Sequence, residues 1–263
     1  MRLIFLVSLL PALFAQWLHY PTAGVPRNAD GSVSRSAPAP KTPQGKPDFS
    51  GIWTAERNRP CPPGGCNDME LGQEFQNIGW SLPTGLPFEP WARDLTKSRI
   101  ARNGMDDPGS HCRPVGFVKM HTSPFYRKLV QLPDLMLLLT ERDAEHRQIF
   151  LDGRALPDDP QPAVGGYSTG HWEGDTLVIS SAGFADGMWL DRNGSPLTDA
   201  GKITERFRRP NFGHLEITLT VDDPKAYTAP WTVTLRQDIA VDTDLVNYYC
   251  MENEKDSGHL VDQ

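Results

Sequence analysis

A strict alternation of apolar and polar residues most limits what this chain can fold into. In residues 215–221 the odd-numbered positions are apolar and the even-numbered ones polar, and Trp231, Val233 and Leu235 alternate with polar neighbours in the same way. A period of two gives a β-strand one buried face and one solvated face. Turn signals such as Asp152-Gly153 separate the segments, so most neighbouring strands are predicted to be antiparallel.

One helix and ten strands are predicted along the chain. The helix covers residues 90–102, because Pro90 occupies the favoured first position and Gly104 ends the pattern. Its apolar side would comprise Trp91, Leu95 and Ile100. The fold class is therefore all-β, an antiparallel β-barrel or sandwich with one N-terminal helix. The predicted strands are 115–121, 125–131, 135–141, 146–151, 167–173, 176–182, 202–209, 214–222, 230–239 and 245–250.

The N-terminal region divides into two segments that precede the β-rich domain. Residues 1–15 have the layout of a secretory signal peptide, in which Arg2 precedes an apolar run and Ala15 offers a small residue for cleavage. Residues 16–48 are rich in Pro, Ser, Ala and Gly and are predicted to form an extended arm. Residues 49–263 would form one domain of an exported protein, periplasmic or secreted.

The charge balance and the absence of signature motifs exclude several classes of function. The 26 Lys and Arg residues face 33 Asp and Glu residues, and the net charge of −7 argues against a nucleic-acid-binding protein. No long uncharged stretch follows residue 15, so no membrane span is expected. The sequence has no phosphate loop and no His-Glu-x-x-His motif, and neither a cofactor nor a metal is predicted. The expected partner is a small molecule, and the oligomeric state stays open.

Four cysteines suit an oxidising compartment. Cys61 and Cys66 flank a Pro-Pro-Gly-Gly segment that could turn tightly enough for a small disulfide loop. Cys112 and Cys250 would then form a long-range pair. Four cysteines allow three connectivities, and all three stay open from the sequence.

Five stretches of the sequence share one further property: residues 46–53, 170–178, 204–207, 223–231 and 250–256. Each of them resembles a segment of a large, mostly uncharacterised family of exported bacterial proteins. Pro196-Leu197-Thr198 departs from the Pro-His-Ser or Pro-His-Thr segment that such proteins often carry, and the resemblance implies no activity. Gly51-Ile52-Trp53 is similar to the Gly-x-Trp that opens lipocalins, which implies a lipocalin-like barrel.

Glu205 is the first candidate for chemistry. A period of two places it on the same strand face as the apolar Ile203 and Phe207. A carboxylate in such surroundings must pair with a cation or have its pKa raised. A raised pKa would suit a general acid or base, whereas an internal ion pair with an arginine would be structural.

Asp191 and Trp189 lie in a Gly-rich connection of a length that is often functional. Asp191, Asn193 and Ser195 alternate as oxygen donors and could hold calcium, but Lys202 stands where an EF-hand places its bidentate Glu. A hydrogen-bonded turn is the alternative interpretation of this segment.

His171 and Tyr167 share one face of their predicted strand and could act as acid and base, or His171 could be a structural histidine. Ser168 lies in a Gly-x-Ser-x-Gly pattern, but a hairpin rather than a helix follows, which favours a glycine-bulged strand over a nucleophile elbow. With Trp172 and Trp189, Ser168 is predicted to contact substrate.

Three functions are compatible with these residues. The first is a cofactor-independent hydrolase, lyase or isomerase in which Glu205, Asp191, His171 and Tyr167 transfer protons. The second is a non-catalytic carrier of an apolar or aromatic ligand. The third is an envelope interaction module that uses the Pro-rich arm.

Overall fold

The computed structural model describes residues 21–56 and 77–250. The predicted signal peptide, the first residues of the arm, the cysteines Cys61 and Cys66, and the family segment after Cys250 lie outside the described residues. The two α-helices of the described part are α1 (Pro90–Ala101) and α2 (Phe117–Thr122), and a short 3₁₀ helix covers Pro108–His111.

Eleven β-strands occur in the described part of the chain: β1 (Gly51–Ala55), β2 (Arg127–Gln131), β3 (Leu135–Thr140), β4 (His146–Phe150), β5 (Tyr167–Glu173), β6 (Thr176–Ala182), β7 (Met188–Trp189), β8 (Pro196–Leu197), β9 (Lys202–Asn211), β10 (His214–Asp222) and β11 (Trp231–Ala240). Nine of them close into a barrel in the order β1-β11-β10-β9-β6-β5-β4-β3-β2. The remaining two, β7 and β8, form a separate two-stranded sheet.

The predicted all-β barrel is confirmed, with one difference in strand direction. Neighbouring barrel strands are antiparallel except for β4 and β5, which run parallel where Phe150 pairs with Thr169. The long connection between β4 and β5 permits this parallel pairing, because parallel neighbours need a crossover rather than a tight turn.

The sequence alternation determines which side chains fill the barrel. In β9, Ile203, Glu205 and Phe207 are buried, whereas Lys202 and Arg206 on the other face are exposed. The same alternation continues through β10 and β11, whose registers are regular apart from one shift near His214. The core therefore lies inside the barrel, as a period of two requires.

Two predicted strands are wrong. Residues 115–121 were expected to be a strand, but Gly116 has φ of 79° and α2 begins directly after it. Residues 245–250 were also expected to be a strand, but Tyr248 makes only an isolated bridge with Arg142. Both segments lack a strand partner along their length, and tertiary context overrides local pattern in such cases.

The helix α1 is confirmed, but its predicted apolar side is wrong. Trp91 is 46% exposed, and Leu95 and Ile100 are only partly buried. The buried side instead carries Ala92, Thr96 and Arg99. Arg99 is buried because it contacts the connection between β7 and β8. It donates to the carbonyl of Gly194 at 2.6 Å, and its guanidinium lies 4.5 Å from the centre of the Trp189 ring.

The described part of the Pro-rich arm runs along the barrel. Its backbone meets the β9–β10 turn, where Phe212 N–H donates to the carbonyl of Ala37 at 2.7 Å. Arg27 also pairs with Asp242 at 2.7 Å, just after β11. These contacts place residues 21–48 against the outside of the barrel.

The long-range disulfide is formed. Cys112 and Cys250 are bonded with their Cα atoms 5.4 Å apart. Cys250 N–H also donates to Asp143 Oδ1 at 2.9 Å. The disulfide thus holds the end of the described chain beside the turn between β3 and β4.

The register of β10 predicts very different losses of stability for substitutions at two adjacent residues. Ile217 points into the core and is 1% exposed, so Ile217→Ala should reduce the free energy of unfolding by about 2–5 kcal/mol. Thr218 faces outward, and Thr218→Ala should change it by no more than about 0.5–1 kcal/mol. Chemical denaturation measures the free energy of unfolding of both variants. Equal reductions in the two variants would contradict the register.

Candidate functional site

A fully buried carboxylate, that of Glu205, lies inside the barrel. Its Oε2 accepts a hydrogen bond from Arg147 Nη2 of β4 at 2.5 Å, and its Oε1 contacts His121 Nε2 of α2 at 2.9 Å. The chain thus adopts the internal ion pair that the sequence left as one of two alternatives. Three separate elements, β4, β9 and α2, meet at this one carboxylate.

Glu205 is ionised and His121 is neutral. Burial opposes the charge of Glu205, but the Arg147 charge and the His121 hydrogen bond outweigh it and lower the pKa of Glu205 to about 2. Burial also lowers the pKa of His121, against the hydrogen bond to Glu205. Because an ionised carboxylate only accepts hydrogen bonds, His121 must carry its proton on Nε2. Of the two alternatives that the sequence leaves open for Glu205, the ion pair is therefore formed and the raised pKa is not found.

Arg147 is the polar centre of the site. It is 5% exposed, and its Nε and Nη2 donate to Ser168 Oγ at 3.1 Å and Ser181 Oγ at 2.9 Å. Its guanidinium lies 3.4 Å from the centre of the Phe117 ring, a cation–π contact. Nη1 is buried and has no hydrogen-bond partner among the described residues. One strong donor of this cation is thus unsatisfied.

The helix α2 lies inside one end of the barrel, and all six of its residues are buried. Helix ends carry unsatisfied N–H and C=O groups that must find partners when buried. At the start, the Glu145 carboxylate accepts from Val115 N–H at 2.8 Å and Gly116 N–H at 3.3 Å. Near the end, Gln237 Nε2 donates to the carbonyl of His121 at 2.9 Å, and Arg127 donates to that of Met120.

A cleft of about 290 Å³ remains between the start of α2, strands β3 and β4, and the segment before β5. Most of its wall is apolar, and its polar side chains are those of Thr140, Asp143, Glu145, His146 and Arg147. Burial raises the pKa of Glu145, although the two N–H groups that it accepts oppose this. The apolar part of the wall includes Phe117, Met120, Leu138 and Val164.

Two predicted catalytic residues lie on the outer face of the barrel, and the expectation that they join Glu205 is wrong. His171 is exposed and pairs with Glu173 at 3.3 Å. Tyr167 stacks on Phe150 and accepts from Arg154 Nη1 at 3.1 Å. The cause is the register of β5 with β6, which turns Ser168 rather than its neighbours toward the interior.

Asp191 is buried but belongs to a different cluster. It accepts from Ile78 N–H at 2.9 Å and from Ser195 N–H and Oγ at 3.0 and 2.8 Å, so the segment is the hydrogen-bonded turn. Burial raises the pKa of Asp191 despite these bonds. Trp189 is also buried here, with Lys119 Nζ 5.2 Å from the centre of its ring. Since Lys119 and His121 lie on different sides of α2, this cluster and Glu205 flank the helix from different directions.

The other predicted contact residues are divided between two places. Ser168 lies beside Arg147 inside the barrel, and β5 pairs with β6 in an unbroken register, so the expected glycine bulge is absent from this strand. Trp172 stacks on Phe49 with ring centres 5.6 Å apart, and Lys46 covers its ring. It does not line the cleft, and only Ser168 among these three residues contacts Arg147.

Sequence reasoning missed Arg147 and His121. A signal for Arg147 was available, because a period of two in residues 146–150 places it on the same face as Ile149. No local signal exists for His121, because the pattern of residues 115–121 predicts a strand where the structure has α2.

The described residues form neither a metal-binding cluster nor a membrane-spanning helix. Within residues 21–56 and 77–250, no group of three or more His, Cys, Asp or Glu side chains is placed to hold a metal ion. In the same ranges, no helix has the length and apolar character needed to cross a bilayer.

Comparison with models of known protein families finds no match to this chain, and comparison with curated protein sequences finds none either. The resemblance to a family of exported bacterial proteins therefore stays a prediction. The function must be argued from the site itself.

The buried ion pair predicts a large loss of stability when Glu205 is replaced by an uncharged residue. Glu205→Gln leaves Arg147 as an uncompensated buried cation and should lower the free energy of unfolding by about 3–5 kcal/mol. The matched control is Glu216→Gln on β10, where the partly exposed ion pair between Glu216 and Arg208, at 4.0 Å, should contribute no more than about 1 kcal/mol. Urea denaturation measures the free energy of unfolding of both variants. A reduction in Glu205→Gln as small as that in Glu216→Gln would refute the ion pair.

Proposed function

We propose that this protein binds, without chemical turnover, a small and largely apolar molecule that carries one anionic or hydrogen-bond-accepting group. The ligand would occupy the cleft beside α2, with its polar group toward Arg147. The observation that carries the proposal is that Arg147, a buried cation held by Glu205 and two serines, lines a mostly apolar cleft. A polar group on the ligand would lie near this positive charge, while its apolar part would contact the rest of the wall.

The shape and composition of the cleft support a binding function. Ligand sites are typically concave and mostly apolar, with a few polar groups that fix orientation. Phe117, Met120 and Val164 supply apolar surface, and Arg147 is held in place by Glu205 and the serines of β5 and β6. A cation that is already oriented loses little further freedom when a ligand binds.

The protonation states favour binding over acid–base catalysis at Glu205. A general acid or base works best with a pKa near the working pH, whereas the pKa of Glu205 is lowered to about 2. Its two oxygens are also occupied by Arg147 and His121. The carboxylate therefore serves to neutralise and position Arg147.

We also propose that the protein acts outside the cytoplasm. The support is the disulfide between Cys112 and Cys250, because structural disulfides persist mainly in oxidising compartments. The apolar run of residues 3–10 behind Arg2 has the pattern of an export signal.

A cleft-filling substitution tests the proposed site without touching the ion pair. A Cβ atom added at Gly165 meets no atom within 4 Å, so Gly165→Leu should fold normally and occupy part of the cleft. With naphthoate as the probe, calorimetry should show at least about a tenfold loss of affinity, or ~1.4 kcal/mol. The matched control Gln148→Leu, on the outer face of β4, should leave the affinity unchanged.

The same titration with naphthalenemethanol, which has no charge, measures what the anionic group contributes. We expect the neutral probe to bind more weakly, since hydrogen bonds to a charged group are the stronger kind. Equal affinity of wild type and Gly165→Leu for naphthoate, or no binding of either probe, would overturn the proposal. Conversion of a bound probe to product would overturn its non-catalytic part.

A further inference from the structure

A second arginine, Arg209, is buried further along β9 and takes no part in the site described above. It is 6% exposed, and its guanidinium lies 4.8 Å from the centre of the Trp53 ring and 5.4 Å from that of Phe212. It lines a cavity of about 400 Å³ between the strand ends of the barrel and the Pro-rich arm. Lys128 of β2 lines the same cavity.

All hydrogen bonds of Arg209 go to main-chain carbonyl oxygens. Nη1 donates to Asp48 O at 2.5 Å and to Ser50 O at 3.4 Å, and Nη2 donates to Phe212 O at 2.7 Å. Nε is buried and has no partner among the described residues. Carbonyl dipoles satisfy two of the nitrogens, but they do not neutralise the positive charge.

The charge of Arg209 is poorly compensated. Burial lowers the pKa of Arg209 to about 10, although the charge of Asp48 opposes this. Buried charges are normally paired, because removing an ion from water without a counter-ion is costly. Arg147 of β4, which is also buried, has a carboxylate oxygen at 2.5 Å, whereas Arg209 forms no ion pair with a described residue.

Two acidic side chains, those of Asp48 and Asp244, also line the cavity and would repel an anion. Asp48 Oδ1 already accepts the N–H of Ser50 at 2.8 Å, and Asp244 lies on the side of the cavity formed after β11. These carboxylates limit the affinity for an anion. They also favour a small ion with few charges over a large polyanion, by like-charge repulsion.

We propose that this cavity binds a small oxyanion, a phosphate or carboxylate group, through the positive charges of Arg209 and Lys128, which both line it. Arg209 supplies a buried charge without a carboxylate partner among the described residues, and Lys128 supplies a second positive charge on a flexible stem. The site is separate from the cleft beside Arg147, so the two can be occupied independently. Because the arm forms one wall, an ion bound there would also hold residues 21–25 against the barrel.

The Arg209 Nε–H resonance in a ¹H–¹⁵N spectrum of the full chain reports directly on this site. Titration with inorganic phosphate, and separately with acetate, at constant ionic strength should shift this resonance to saturation. Saturation by phosphate alone assigns the site to phosphate groups, and saturation by both assigns it to oxyanions in general. A resonance that neither ion shifts would overturn the proposal.

Two lysine variants locate the effect without altering Arg209. Lys128→Gln should weaken binding of the saturating ion about tenfold, because it removes one of two cations that line the cavity. Lys202→Gln, an exposed position at the start of β9, is the matched control and should leave the affinity unchanged. An unchanged affinity in Lys128→Gln would place the ion elsewhere and refute the assignment.

Discussion

The structure depends most on one buried carboxylate that three elements share. Glu205 joins β9 to Arg147 of β4 and to His121 of α2, so it fixes both the barrel wall and the helix inside it. In this low-dielectric interior the ion pair is stabilising only while its geometry and its additional hydrogen bonds are complete. Ser168 and Ser181 supply those bonds to the guanidinium.

The helix α2 connects this interaction to the proposed function. A six-residue helix has little stability by itself, so its position depends on partners for its ends and on packing. Glu145, in the turn just before β4, and Gln237 of β11 provide such partners. With α2 held in this way, the space beside its first turn stays open as the cleft, and Arg147 becomes part of the cleft wall.

The sequence predicted the barrel and the inward position of Glu205, because alternation along a strand is a local property. It also indicated that His171 and Tyr167 share a face, but whether that face points inward depends on pairing with β6. The position of α2 depends on residues more than 25 positions away in the sequence, as the contact from Glu145 to Val115 illustrates. A local sequence pattern carries no information on such long-range contacts. For that reason the position of His121 beside Glu205 could not be predicted.

The protonation state of His121 tests this account most directly. The ¹⁵N chemical shifts of its ring nitrogens distinguish Nδ1 from Nε2, and can be followed from neutral pH to below the usual histidine pKa of about 6.5. Because burial lowers the pKa of His121 and Glu205 stays ionised, we predict a proton on Nε2, none on Nδ1, and no titration near that value. A ring with both nitrogens protonated at neutral pH would contradict the arrangement of charges at the centre of the barrel.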